Sequence, residues 1–287
     1  MVGGGGLQRR YISREMSEPP PNLRPEAFAG TADDYVRYRL PYPRAVLDGF
    51  LAEARLAPGG RLLDLACGPG RVSLPIADRF AEVWALDLEP EMIEAGRREA
   101  ARLGITNVRW SVGLAETFDA PSAAFDLVTV GEAFHRLDRP RVARLALGWL
   151  KPGAALVTLG LGSVDGEAPH WRQLMAGVIR NFIGEPARRL GASNTTPAEE
   201  HADQENDLRM AGFIDVVSRL FQIEHRWTLD TLLGNARSMS TLSRRALGVR
   251  HAAFEASLTQ TLAGWDAPGG YSENISWGYT IALRPRA

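Results

Sequence analysis

The chain has 287 residues, 45% of them apolar, enough to bury a sizeable core in one large domain or in a core with a lid. Thirty-three basic and 34 acidic side chains leave a formal net charge of −1, which argues against a nucleic-acid footprint. The single cysteine excludes an intramolecular disulfide framework. With no run of eighteen apolar residues and no apolar stretch near the first residue, the expected protein is cytoplasmic, with no membrane partner.

Residues 1–25 contain four consecutive glycines and Arg9-Arg10 without periodicity, and read as a disordered arm before one domain over 26–287. A helix is expected over 44–56, then a strand over 61–66 that breaks into Ala66-Cys67-Gly68-Pro69-Gly70-Arg71. A helix over 71–80 and a strand over 82–87 ending in Asp87 follow, then a helix over 90–103 opened by Pro90. Strands over 107–112, 125–130 and 154–160 flank a helix over 139–149, with Pro140 and Pro152 at the boundaries. This alternation is the α/β pattern of a mostly parallel sheet covered on both faces. Beyond residue 162 the pattern loosens. Glu199 to Met210 reads as a helix closed by Ala211-Gly212, and Phe213 to Trp227 as a long strand. Helices near 229–242 and 247–264 precede a last strand from Glu273 to Leu283.

An apolar strand that breaks into a glycine turn and opens a helix, with an acid about twenty residues on, is how a Rossmann-type sheet holds a nucleoside. Gly68 and Gly70 let the backbone touch the ligand, and Asp87 is placed to accept hydrogen bonds from two ribose hydroxyls. A dinucleotide loop needs a third glycine where this chain has Ser73. Asp64, at the end of the first strand, would repel a diphosphate and favour a cation. S-adenosylmethionine (SAM) carries a sulfonium and an ammonium at that place. Cys67 reads as a small apolar filler of the turn.

From about Phe28 to Leu159 the chain resembles the class I SAM-dependent methyltransferases, within them the small-molecule group of trans-aconitate and ubiquinone/menaquinone-type enzymes. Asp64 to Gly70 is similar to that family's first motif and Asp87 to its ribose-binding acid. Gly113-Leu114-Ala115-Glu116 resembles the third motif, Phe125-Asp126-Leu127-Val128 the fourth strand, and Leu150-Lys151-Pro152-Gly153 the turn into the fifth. The resemblance implies a seven-stranded Rossmann-like sheet whose seventh strand is inserted antiparallel between the fifth and sixth. It implies SAM as cofactor, S-adenosylhomocysteine (SAH) as its product, and a cofactor site at Asp64, Ala66, Gly68, Gly70, Asp87, Leu88, Met92, Ala115 and Glu116. Met92 holds the position that packs on the adenine. Two departures stand out: Ala66 replaces a frequent glycine, and Leu114 replaces the aspartate that bonds the adenine amino group, shifting that contact to backbone groups or Glu116. Phe28 to Pro43 is similar to the family's lid, with Tyr35 over the substrate or the methionine carboxylate and Arg39 as a fork for a carboxylate. Segments 163–198 and 229–264 are extra material, read as roof elements or, for the second, as the face of a homodimer.

Methyl transfer from a sulfonium is an in-line displacement that needs alignment, with no metal and no covalent intermediate. A base is required only if the acceptor is protonated. His135, in the loop after the fourth strand, is the first candidate for that base, and Glu132 in the same loop the second. The function read from the sequence is methyl transfer from SAM to O, N or C of a small organic acceptor, in specialised metabolism. The alternatives are a SAM-binding cyclase or eliminating enzyme, and a SAM-binding regulatory protein.

Overall fold

The structure is a computed structural model, and it describes residues 27–56, 58–161, 168–184, 197–265 and 270–286. The expected arm over 1–25, and most of the loop in 163–198, lie outside the described residues. In chain order the elements are α1 (Ala32–Tyr38), α2 (Arg44–Ala54), β1 (Gly60–Leu65), α3 (Ser73–Ile76), β2 (Phe80–Asp87), α4 (Pro90–Leu103), β3 (Val108–Val112), β4 (Phe125–Gly131) and α5 (Arg139–Trp149). After these come β5 (Leu150–Leu161), α6 (His170–Ile183), α7 (Pro197–Ala211), β6 (Ile214–Trp227), α8 (Leu229–Arg237), α9 (Arg244–Leu247), α10 (His251–Ala263) and β7 (Tyr271–Leu283).

The strand order is β3-β2-β1-β4-β5-β7-β6, with β1 to β5 parallel and β7 antiparallel to both of its neighbours. The order reverses between β1 and β4, so the crevice beyond their carboxyl ends is the place where an open α/β sheet binds ligands. Alternate residues build the two layers. Leu62, Leu127, Val157, Trp277, Tyr279 and Ile281 face a cluster that includes Phe50 of α2, Trp171 of α6, Leu232 of α8 and Phe254 of α10. Leu63, Leu65, Val128, Val130 and Leu156 face Val142 and Ala146 of α5 and Leu208 of α7. In α2 the buried Val46, Leu47, Phe50 and Ala54 recur at helical spacing, so that one stripe meets the sheet.

Three expected helices are shorter in the structure. The one over 71–80 is α3 plus a 3₁₀ turn over Ala77–Arg79, and the Asn107 amide donates to the Ala77 and Phe80 carbonyls. The one over 229–242 stops at Arg237, where Ser238 turns its hydroxyl onto the Asn235 carbonyl. The one over 247–264 is interrupted by Gly248 at φ +55°, ψ −131°, a conformation that only glycine adopts without strain.

Candidate active site

Three segments meet beyond the carboxyl ends of β1 and β4: the turn 66–70, the loop 131–138, and a strap of residues 27–43 that crosses over both. A narrow cavity between them is lined by Tyr35, Tyr42, Asp64, Ala66, Cys67, Gly68, Arg71, Val72, Gly131 and Glu132.

The turn is shaped by backbone conformation. Ala66, Gly68 and Gly70 all have positive φ, at +50°, +55° and +83°. Ala66 is therefore more than a change of size from glycine. An alanine held there costs roughly 1–2 kcal/mol, and Ala66→Gly is expected to recover about 1 kcal/mol of it, less the greater unfolded-state freedom of glycine; a lower melting temperature in the variant would contradict the strain. The two glycines differ in purpose. A Cβ on Gly68 would meet only the edge of the Tyr35 ring, at 3.9 Å, so this glycine opens the cleft. A Cβ on Gly70 would overlap Leu74 and Trp110, 2.8 and 2.9 Å away, so this glycine is required by helix–sheet packing. Cys67 is buried, donates its thiol to the Gly68 carbonyl at 3.2 Å, and has its pKa pushed up by burial and then by Asp87 and Asp64. It fills the turn.

Asp87, nearly buried at the tip of β2, accepts the Gly68 N–H at 2.7 Å on one oxygen and the Glu89 N–H at 2.9 Å on the other. Each oxygen keeps a second lone pair, the two acceptors a ribose diol needs. The Gly113 N–H donates to the Asp87 carbonyl at 2.9 Å and brings the third-motif loop alongside. Leu88 and Leu114, 36% and 45% exposed, are open apolar side chains there, as is Val112. Met92 is placed differently: it is 2% exposed, packed with Ala32 and Ala95 and against Phe28, Tyr35 and Val36, beneath the strap. Ala115 is buried, and Glu116 uses one oxygen to accept the Asp138 N–H at 3.1 Å, while the other has no hydrogen-bond partner.

Asp64 is fully buried and accepts the Thr129 hydroxyl at 2.7 Å. Its second oxygen closes no hydrogen bond, although the Ser73 hydroxyl and N–H lie near enough to favour its charge. Burial dominates and pushes the Asp64 pKa up to about 6. A cation bound beside it would favour the ionised form and lower that pKa. The sign follows: free protein binds the proton more readily than complex, so cofactor affinity is full well above pH 6 and falls about tenfold per unit below it, until the lowered pKa is reached. Calorimetry in buffers of different ionisation enthalpy should show roughly half a proton released per SAM bound at pH 6 and almost none at pH 8. In Asp64→Asn this release should vanish; its persistence would assign the proton to another group.

Facing these acids are guanidiniums. Arg71 and Arg39 stand 6.0 and 5.1 Å from the centre of the Tyr35 ring, and each has a buried nitrogen without a hydrogen-bond partner, Nη2 of Arg71 and Nε of Arg39. Arg136 lies over Phe28 at 4.7 Å, and burial lowers its pKa despite the nearby Tyr35, Asp87 and Glu89. Burial likewise raises the Tyr35 and Tyr42 phenols. Arg71, Tyr42 and Arg136 were not expected from the sequence. Arg71 carried a signal, since a cation just ahead of a helix N-terminus opposes the macrodipole and needs another reason to be there.

The two residues expected to do chemistry separate. Glu132 lines the cavity with φ at +49°, a conformation that strains a non-glycine residue, and its N–H donates to the Leu159 carbonyl at 2.7 Å. His135 is exposed on the 3₁₀ turn Phe134–Arg136 and is not among the cavity-lining residues. Desolvation by the groups around it, then the charges of Arg136 and Arg139, lower its pKa to about 4. Among the described residues there is no group of three or more His, Cys, Asp or Glu that could hold a metal ion, and no helix is long and apolar enough to cross a membrane.

The residues present fit SAM. Asp64 and Arg71, each with a buried polar atom that has no hydrogen-bond partner, line one cavity that would take an ammonium and a carboxylate, and Asp87 accepts the N–H of Gly68, which lines the same cavity. A family model described as a methyltransferase domain matches residues 62–153. The chain is 37% identical over 106 residues to a ubiquinone biosynthesis O-methyltransferase from Xanthomonas axonopodis pv. citri, covering 36% of this chain and 44% of that protein. It is 38% identical over 77 residues to a 23S rRNA (uracil(1939)-C(5))-methyltransferase from Alkalilimnicola ehrlichii, covering 27% of this chain and 17% of that one. The chain thus spans less than half the length of these two relatives. Among solved structures, the cyclase SpnF superposes with a TM-score of 0.55 at 19% identity, over 87% of this chain and 84% of that one, a likeness of fold alone. The fold is a Rossmann-like, mostly parallel sheet. The ordered motifs and the matching family model make residues 62–153 similar to a methyltransferase domain.

Proposed function

We propose that this protein transfers a methyl group from SAM to oxygen, nitrogen or carbon of a small organic acceptor, in the cytoplasm and as part of specialised metabolism. The observation that carries the reading is the cavity at the β1/β4 switch point, where Asp64 and Glu132 face Arg71 and Tyr35 a short step from Asp87. Bound SAM supplies an electrophilic methyl carbon. The chain's own contribution is then positional: Asp87 and the turn fix the nucleoside, Asp64 favours the cation, Arg71 and Arg39 hold a carboxylate, and the strap excludes water. A net charge of −1 supports a small molecule over a nucleic acid as acceptor.

Within this reading Glu132 is the group beside the acceptor, and His135 belongs to the rim. Glu132→Gln is expected to lower kcat by about 10²-fold, the low end for a positioned acid or base, and His135→Ala by less than about fivefold. The His135 pKa is lowered, so a flat rate between pH 6 and 8 does not decide its use; the paired variants do. A large loss in His135→Ala with little in Glu132→Gln would reverse the assignment. The reaction class is tested by incubating the protein with methyl-labelled SAM and candidate acids, phenols and amines. Label in the acceptor with an equal amount of SAH is expected. Conversion of an acceptor without SAH would make the protein a non-methylating SAM-dependent enzyme on the same fold.

A further inference from the structure

The strap that covers the cleft is fastened at both ends. On the sheet side, Glu89 and Glu91 accept the Phe28 and Gly30 N–H groups, and Asp33 pairs with Arg98 of α4 at 2.8 Å. On the other side the partner is α8, one of the helices added to the sheet. Its Gly234 is a costly residue for a helix interior, roughly 1 kcal/mol less favourable than alanine. The compensation is visible: a Cβ at Gly234 would overlap the Tyr38 ring, so only glycine lets α1 lie this close. Arg37 and Arg237 stand over that ring at 4.9 and 5.2 Å. Arg237 also reaches Asp34 of α1 at 3.4 Å and Glu255 of α10 at 3.5 Å, which ties the strap to two added helices at once.

We propose that Gly234 and Arg237 are positioning residues for the cofactor: they act through Tyr38 and Asp34 on the segment that carries Tyr35 and Arg39, and so set how long SAM or SAH stays bound. This rests on the reading of the cleft as a SAM site. Neither residue lines the cavity, and both bear on the cover from outside. Opening must break the Asp34–Arg237 contact and withdraw the Tyr38 ring from its notch, and closing must restore them.

The test is the dissociation rate of SAH from the full-length protein, by surface plasmon resonance, in wild type, Arg237→Gln, Asp34→Asn, their double variant and Gly234→Ala. Arg237→Gln should release SAH about three- to tenfold faster, and Gly234→Ala about tenfold or more faster. The melting temperature of free Arg237→Gln should stay within about 2 °C of wild type. The double variant should be no faster than the faster single one, because both remove one contact. Raising salt from about 0.05 to about 1 M should accelerate release from wild type and leave Arg237→Gln nearly unchanged. If Gly234→Ala fails to fold, the Arg237 and Asp34 pair with its salt dependence decides alone. Unchanged release in the folded variants overturns the latch while leaving the cofactor reading intact. A wild-type protein that binds no SAH overturns both.

Discussion

Gly68→Val is expected to abolish SAM and SAH binding, a loss of more than about hundredfold in affinity, in a protein that still folds. Nothing in the packed structure opposes a side chain at this position, since the nearest atom to a Cβ is the Tyr35 ring edge at 3.9 Å. The fold pays only the backbone strain of a positive φ, about 1–2 kcal/mol, whereas the branched side chain fills the space between turn and strap. Gly70→Ala is the control with the opposite signature. Its Cβ meets Leu74 and Trp110, so stability should fall by about 1–3 kcal/mol from overpacking and strain. Native-like circular dichroism with no calorimetric SAH binding for Gly68→Val, and a lowered melting temperature for Gly70→Ala, would bear out the division. Tight binding by Gly68→Val would refute the path of the cofactor over the turn.

Asp87→Ala is expected to weaken SAH about ten- to hundredfold, the loss of a carboxylate whose ribose contact is worth in total roughly 1.5–3 kcal/mol. It should also destabilise the free protein, because the same carboxylate receives the Gly68 and Glu89 N–H groups. Those donors would be left without an acceptor in a nearly buried place, at about 1–3 kcal/mol each if water cannot reach them. Asp87→Asn should show both losses in smaller measure: its one oxygen accepts only one of the Gly68 and Glu89 N–H groups, its NH2 faces the other donor, and the ribose loses one acceptor. Thermal melts and isothermal titration on the three proteins check this. Wild-type affinity in Asp87→Ala would remove the residue from the site.

How much of this was legible in the sequence depends on whether the deciding force was local. The helix over 90–103 is found within those bounds because both stops are local: Pro90 at the first turn, and Gly104 at φ +71° closing the last. The helix over 139–149 is likewise set by Asp138, whose side chain caps the Arg141 N–H. The helix near 229–242 was overextended because the Ser238 hydroxyl turns onto the Asn235 carbonyl, a local side-chain bond that helical propensity does not register. In the site, Asp64, Gly68 and Asp87 belong to one contiguous strand–turn–strand pattern and were readable. Tyr42 and Arg136 were not, since their placement depends on how the strap folds back over the sheet, and Arg71 offered only its unfavourable place ahead of a helix N-terminus. Met92 was read as an adenine contact from the family resemblance, and in the structure it is packed beneath the strap. The exposed His135 and the cavity-facing Glu132 sit three residues apart, and only the turn between them decides which one looks inward.

The most direct measurement is a calorimetric titration of the wild-type protein with SAM, SAH and NAD at pH 8, where Asp64 is ionised. A buried acid at the turn and Ser73 in place of a third glycine should admit the sulfonium ligand and its product and reject the dinucleotide. SAM and SAH are expected to bind at one site with NAD giving no heat above dilution. NAD binding as tight as SAM, or no binding of SAM and SAH at all, would contradict the account.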